Sequence, residues 1–333
     1  MAQWNVAEVG GYLAFAAISA KLGWSLGSLV YRRLLARSLD VTKLGGKWAL
    51  VTGATDGIGK AYAFALAKKG LNIVLVSRSP AKLKNVATEL EQACPGILSK
   101  YAFATTLSLR NEYYRYSNHS HFRTVVVDFA NDDAKDYIPK VEESIRDLDI
   151  GVLVNNVGMT HDPMEYHELG SAAVNNLINV NIVSMNNMTM IVLPQMVARK
   201  NGAVINIASV FGSIPGPLMT VYSSTKAYMD MFSRSLSKEY ERYGITIQSI
   251  LPGPVVSNMT CRTLKKPVLM APSSEAFVSS ALTRIGIDQR TTGYWVHDLM
   301  LMASECLPTR TVLNMSHNAL SGLREQLLLE KQE

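Results

Sequence analysis

The chain has 333 residues, 48% of them hydrophobic and 18% charged, which suits one large domain with a substantial core and excludes a disordered chain. The net charge of +6 is modest and forms no basic block, so nucleic acid is not an expected partner, while anionic cofactors and membrane surfaces remain compatible. Cys94, Cys261 and Cys306 have neither zinc spacing nor a disulfide pattern and read as reduced thiols of a cytosolic setting.

The first element is Val9–Tyr31, VGGYLAFAAISAKLGWSLGSLVY, apolar apart from Lys21 and long enough to cross a bilayer as a helix. Lys21 opposes that reading, since a mid-helix lysine costs roughly 2.5–3.5 kcal/mol on insertion scales. A buried or interfacial helix is the alternative. A cleaved signal peptide is disfavoured: no basic n-region precedes the segment, and Ile18 stands where a small residue should precede a cut after Ala20. Arg32, Arg33 and Arg37 follow while no Lys or Arg precedes, so the positive-inside rule leaves the rest of the chain in the cytosol. Residues 1–46 therefore read as a membrane anchor and linker.

From Lys47 the pattern alternates. Strands are expected at WALVTG, NIVLVS, TVVVD, GVLVNNV, AVINIAS, ITIQSIL and GYWVH, with helices near 58–69, 80–93, 133–147, 171–199, 223–243 and 273–285. Apolar strands alternating with helices predict an α/β fold, a doubly wound parallel sheet of Rossmann type with helices on both faces over residues 47–300. Its ligands belong at the carboxyl ends of the strands. Residues 94–123 are far longer than the usual connection of about 2–6 residues and read as an insertion running over the surface. The tail, 301–333, mixes apolar and polar residues, and its periodicity does not choose between packing on a membrane and extending the core.

Within these elements, TGATDGIG follows the first strand and opens a helix. Gly53, Gly57 and Gly59, with Thr55, Asp56 and Ile58 between them, thin the side chains so that a pyrophosphate can approach backbone N–H groups at a helix N-terminus. The second strand ends in Ser77 and Arg78, where an NAD site would carry an acid. An arginine there suits the 2′-phosphate of NADP(H). Tyr222 and Lys226, in VYSSTKAY, are four apart and share one helix face. A lysine cation beside a phenol lowers its pKa toward usable general acid–base chemistry.

Jointly these motifs resemble the short-chain dehydrogenase/reductase superfamily from about Lys47 to at least His297. That resemblance implies a catalytic group of Asn181, Ser209, Tyr222 and Lys226: Ser209 binds the substrate carbonyl, Asn181 holds a water of the proton relay, and Lys226 also grips the nicotinamide ribose. It further implies that Asp128 meets the adenine. Asn155 begins NNVG, similar to the family's NNAG stretch, and Pro252, Val255 and Ser257 lie in PGPVVS, which resembles the family's PGxVxT stretch and is therefore expected near the carboxamide. LVNNVGM, VLPQMVARKNGAVINIAS, FSRSLSKEYERYGI, LKKPVLMAPSSEAFVSSAL and RTTGYWVHDLM resemble the membrane-bound branch that contains 17β-hydroxysteroid dehydrogenases and the 3-oxoacyl-CoA reductases of fatty-acid elongation. The branch implies an endoplasmic-reticulum membrane enzyme, with a cytosolic catalytic domain, that reduces 3-oxoacyl-CoA with NADPH. It also implies homodimerisation through the helices carrying Asn181 and Tyr222. Alternatives are a 17-keto-steroid reductase and a catalytically silent binding shell, the latter disfavoured by four intact catalytic positions. Arg262, Lys265 and Lys266 are expected to meet CoA phosphates or to form a solvated basic face.

Overall fold

A computed structural model describes residues 6–94, 122–130, 133–260 and 266–330. The surface excursion expected at 94–123 falls almost wholly outside these residues, as do Arg262 and Lys265. The strands are β1 (Trp48–Thr52), β2 (Asn72–Ser77), β3 (Phe122–Val126), β4 (Ile150–Asn155), β5 (Gly202–Ile207), β6 (Ile245–Ile250) and β7 (Arg290–Thr291). They form one sheet in the order β3-β2-β1-β4-β5-β6-β7, with every neighbouring pair parallel. The order reverses between β1 and β4, so the crevice where a doubly wound sheet binds its ligand opens beyond the carboxyl ends of those two strands.

Alternate residues of each strand feed two cores. Ala49 and Val51 face α2 (Gly57–Lys68), α3 (Pro80–Ala93) and α8 (Ser274–Leu282), joined by Tyr62, Leu83 and Phe277. Leu50, Ile150 and Leu153 face the opposite layer, packing with Tyr137 of α4 (Ala134–Ile145) and Met188 of α6 (Ser184–Arg199), at whose rim Leu236 of α7 (Thr220–Tyr240) is partly buried. Burial on both faces explains why these strands read as continuous apolar runs. Residues 171–199 form one continuous helical stretch: α5 (Ser171–Ile178), a π turn at Asn179–Val183, then α6. By length and hydropathy that stretch could cross a membrane, but half of its apolar window is buried and α6 packs on β4 and β5, so it is a core helix.

One strand is corrected. GYWVH is not β7; the sheet ends with Arg290–Thr291 beside Ser249 and Ile250, and Trp295 begins α9 (Trp295–Cys306). Gly293 turns the chain at φ +77°, in a spot where an added Cβ would lie 3.0 Å from the Phe277 ring. A short apolar run cannot tell strand from helix by periodicity alone. The tail forms α10 (Thr309–Leu329), which buries Leu320 and Leu327 and pins itself to the body through Arg324, whose guanidinium donates to Glu168 at 2.8 and 2.9 Å.

The N-terminal helix α1 (Val6–Leu34) has 29 residues, about 44 Å at 1.5 Å per residue, and exposes Phe15 (71%) and Trp24 (81%). Its last turn is fastened to the sheet domain. Arg32 donates to Asp288 at 2.9 Å, the buried Arg284 donates to the Arg32 carbonyl at 2.9 Å, and Leu39 N–H donates to the Ile285 carbonyl at 2.8 Å.

Candidate active site

At the carboxyl end of β1 the chain turns through Gly53 (φ +64°) and Gly57 (φ +51°) into α2. An added Cβ at Gly59 would sit 2.3 Å from the Gly53 carbonyl oxygen and equally near the Asn156 amide. Asn156 Nδ2 donates to the carbonyls of Thr52 (3.0 Å) and Gly53 (3.3 Å), while Thr52 Oγ1 accepts from the N–H groups of Asn156 and Val157, both at 3.0 Å. Two of the glycines thus let the chain stitch the end of β1 to the loop after β4. Asp56, the residue before α2, makes no side-chain cap, so the first N–H groups of α2 are left for an anion. Thr55 Oγ1 lies 2.9 Å from Ser77 Oγ, which brings the turn to the end of β2 and to the exposed Arg78. Arg78 makes no ion pair with an acid among the described residues. Asp128, after β3, accepts from Ala130 N–H at 3.1 Å, and Ile58 is partly buried against the core.

Across the crevice stands the turn after β6. Gly57 approaches Ser257 so closely that its Cβ would lie 2.9 Å from that of Ser257. Val255 is buried at the core and Pro252 accepts from Val210 N–H at 3.0 Å, which joins this turn to the one after β5. A groove of about 1280 Å³ between α2 and α8 ends at Asp56, Gly57 and Ser257. Asn155 ends β4 at the edge of the crevice. It is 1% exposed, and its Nδ2 donates to Asn206 Oδ1 (2.8 Å) and Thr189 Oγ1 (3.0 Å). As the last residue of β4, it ties that strand to β5 and α6 through this amide.

Ser209 follows β5 and its Oγ accepts from Phe211 N–H at 3.2 Å. The first turns of α7 carry Tyr222 and Lys226, with the Tyr222 phenol beside the Ser209 hydroxyl. Lys226 Nζ lies 5.8 Å from the Tyr222 ring centroid and donates to the Ile207 carbonyl at 2.9 Å. Asn181 occupies the π turn, a local widening common at functional sites. Its Oδ1 accepts from Met159 N–H (2.9 Å), and its Nδ2 donates to the Met159 carbonyl (3.1 Å) and to Thr225 Oγ1 (2.9 Å). That side chain is committed to binding the β4 loop to the residue before Lys226. Gly158 fits between Asn181 and Lys226, each 3.4 Å from where its Cβ would be.

The expected electrostatics are also corrected. Burial raises the Tyr222 phenol above its ordinary value, with the Ser209 hydrogen bond opposing, and burial pushes Lys226 down to about 8. Desolvation penalises both charged forms. At neutral pH the pair is a protonated phenol beside a lysine cation, which is the state a proton donor for carbonyl reduction requires. Sequence reasoning passed over Thr52, and also Leu218, whose φ of +64° is strained for a leucine and whose carbonyl accepts from Met164 N–H at 3.1 Å beside the entry to α7. Neither carries a sequence signal: a threonine at a strand end is ordinary, and backbone strain is invisible in residue type.

A sequence model described as short chain dehydrogenase matches residues 47–113 and 105–267. The very-long-chain 3-oxoacyl-CoA reductase of Rattus norvegicus is 42% identical over 267 residues, covering 79% of this chain and 76% of that protein. Very-long-chain 3-oxoacyl-CoA reductase-A of Danio rerio is 40% identical over 309 residues, covering 91% of this chain and 85% of its own. Among solved structures, a short-chain dehydrogenase from Sphingobium yanoikuyae in complex with NADPH is similar with a TM-score of 0.58 and 25% identity, over 71% of this chain and 83% of that one.

Proposed function

The chain belongs to the short chain dehydrogenase family, and from that premise we propose that it is an NADPH-dependent ketoreductase that turns 3-oxoacyl-CoA into 3-hydroxyacyl-CoA in very-long-chain fatty-acid elongation. The observation that carries this reading is the Ser209, Tyr222 and Lys226 cluster at the carboxyl edge of the sheet, across from the glycine turn of α2. The names of the rat and zebrafish relatives as very-long-chain 3-oxoacyl-CoA reductases support the substrate class.

The residues present fit a dinucleotide phosphate. Gly53 and Gly57 leave backbone N–H groups uncovered at the α2 N-terminus, Ser257 faces them, and Arg78 offers a forked cation at the end of β2. When bound, NADPH supplies hydride to the substrate's carbonyl carbon. Ser209 and Tyr222 donate hydrogen bonds to the carbonyl oxygen, and Tyr222 gives that oxygen its proton as the hydroxyl forms. Lys226 stabilises the resulting phenolate and would hold the ribose hydroxyls of the bound nucleotide. Asn181 keeps the β4 loop against α7 through Met159 and Thr225, with a relay water as its further role. Asp128, after β3, would meet the adenine of the bound nucleotide.

The test is NADPH oxidation by membranes containing the protein, with a long-chain 3-oxoacyl-CoA and, separately, a 17-keto-steroid. Turnover of the steroid alone would overturn the acyl-CoA assignment. Arg78→Ala should weaken NADPH by roughly 10–100-fold, the worth of a charge-assisted hydrogen bond, while leaving NADH affinity unchanged. Equal loss for both nucleotides would remove Arg78 from the 2′-phosphate site. Because Lys226 loses its charge above about 8, kcat/KM for NADPH, which reports the free enzyme, should fall as pH rises through that value. A profile flat to about pH 9 would show that the cation is not needed.

The exposed aromatic side chains of α1, followed by Arg32 and Arg37, support an endoplasmic-reticulum anchor with a cytosolic body. Carbonate extraction and protease protection of microsomes test it, and release by carbonate would refute an integral anchor. Exposed Met190 and Met231, beside stacked Tyr228 and Phe232, support a homodimer through α6 and α7. A monomer in detergent by light scattering would remove that assignment.

A further inference from the structure

His297, in the first turn of α9, is completely buried although its ring carries two polar atoms. Both are used, by two different turns. Nδ1 accepts from Gly253 N–H at 3.2 Å, and Nε2 meets the Met270 carbonyl at 3.1 Å. One nitrogen must accept and the other donate, so the hydrogen bonds select the neutral Nε2–H tautomer. The ring also leaves Gly253 no room for a side chain: an added Cβ would lie 2.8 Å from His297 Cδ2. Tyr294, edge-on with centroids 5.2 Å apart, and Phe277 at 6.2 Å wall the imidazole in.

The two turns have different neighbours. Gly253 belongs to Pro252–Ser257, which ends at Ser257 opposite Gly57 on the cofactor side. Met270 belongs to Val268–Ala271, a turn closed by its own backbone pair at 3.0 and 2.9 Å, and it exposes Val268, Leu269 and Met270 as an apolar lip. Beyond His297 the two are joined by Val256 N–H donating to the Pro272 carbonyl at 3.0 Å and by Ser274 Oγ donating to the Val256 carbonyl at 2.9 Å.

We propose that His297 is a positioning residue that couples the cofactor-facing turn Pro252–Ser257 to the apolar turn Val268–Ala271, so that seating the dinucleotide sets the surface offered to the acyl chain. This rests on the ketoreductase reading above. Sequence alone hid the role, because GYWVH reads as a strand in which a histidine is unremarkable.

Two near-isosteric variants separate the two bonds. His297→Asn keeps an acceptor near Nδ1 for Gly253 and removes the donor to Met270. His297→Gln keeps a donor near Nε2 and removes the acceptor. With full-length protein in detergent, His297→Gln should raise the NADPH Kd, read by tryptophan quenching, about tenfold, within the usual range of coupling between sites. His297→Asn should leave that Kd within about twofold and raise KM for a long-chain 3-oxoacyl-CoA about tenfold by the same measure. A purely structural histidine would instead lower the melting temperature of both and move Kd and KM together, which overturns the proposal. If neither variant folds, amide exchange on the wild type decides: NADPH should slow exchange at Val268 and Ala271 as well as at Gly253. Protection confined to Gly253 overturns the coupling. Cofactor affinity and exchange are measured without acyl-CoA, so a wrong substrate class would show as absent turnover while the cofactor readouts still judge His297.

Discussion

Tyr222→Phe should abolish 3-oxoacyl-CoA reduction, lowering kcat by about 10²–10⁴-fold or more, the range for losing a positioned proton donor. The same variant should bind NADPH normally and melt with the wild type. The deleted atom is one hydroxyl, which faces Ser209 in the crevice, while the ring keeps its edge contact with Phe211 at 6.3 Å and its place over Lys226 at 5.8 Å. A neutral phenol is the proton donor that reduction needs, and phenylalanine offers neither the proton nor the hydrogen bond to the carbonyl oxygen. Single-turnover NADPH oxidation with separately measured cofactor binding checks this. Residual turnover within about tenfold of wild type would mean that another group supplies the proton.

Asp288→Ala should destabilise the fold by about 3–5 kcal/mol, the cost of leaving a buried cation without its partner. Arg284 is 2% exposed and ion-pairs with Asp288, while Arg32, from the end of α1, reaches the other oxygen of the same carboxylate. Gln248 Nε2 donates to the main-chain carbonyls of both Arg284 (2.8 Å) and Asp288 (2.7 Å), so the ion pair sits in a buried polar cluster between β6, the loop before β7 and α1, in which Gln248 Oε1 and Arg284 Nε have no partner among the described residues. The melting temperature should drop by about 10 °C, and protease should gain access near residue 38 as α1 loosens. An apolar double replacement, Arg284→Met with Asp288→Leu, should recover most of the loss because it removes both charges together. A single variant that melts with the wild type would show that water already solvates Arg284.

Much of the catalytic chemistry is local, and local chemistry is legible. Tyr222 and Lys226 share a face because a helix repeats every 3.6 residues, and the α3 bounds at Pro80–Ala93 follow from Ser79 capping Lys82 N–H with proline next to it. Arg78 is readable because a strand end has few places to put a charge. Asn155 shows what residue type leaves open: it says that an amide stands at a strand end, and only the fold gives that amide Asn206 and Thr189 as partners. GYWVH misled because tyrosine, tryptophan and valine suit either element until Gly293 is seen pressed against Phe277.

The sequence by itself determined the alternating βα order, the parallel sheet, the glycine turn at the first strand and the serine, tyrosine and lysine proposed for the site. Each is written in periods of a few residues, where backbone geometry leaves few options. Only the tertiary structure decided which way Asn155 points, that Asn181 lies in a π turn and spends its amide on Met159 and Thr225, that burial raises Tyr222 and lowers Lys226, and that His297 bridges two turns. Those outcomes depend on desolvation and on contacts between residues far apart in the chain. Such contacts exist only once the sheet has brought β1, β4, β5 and β6 side by side.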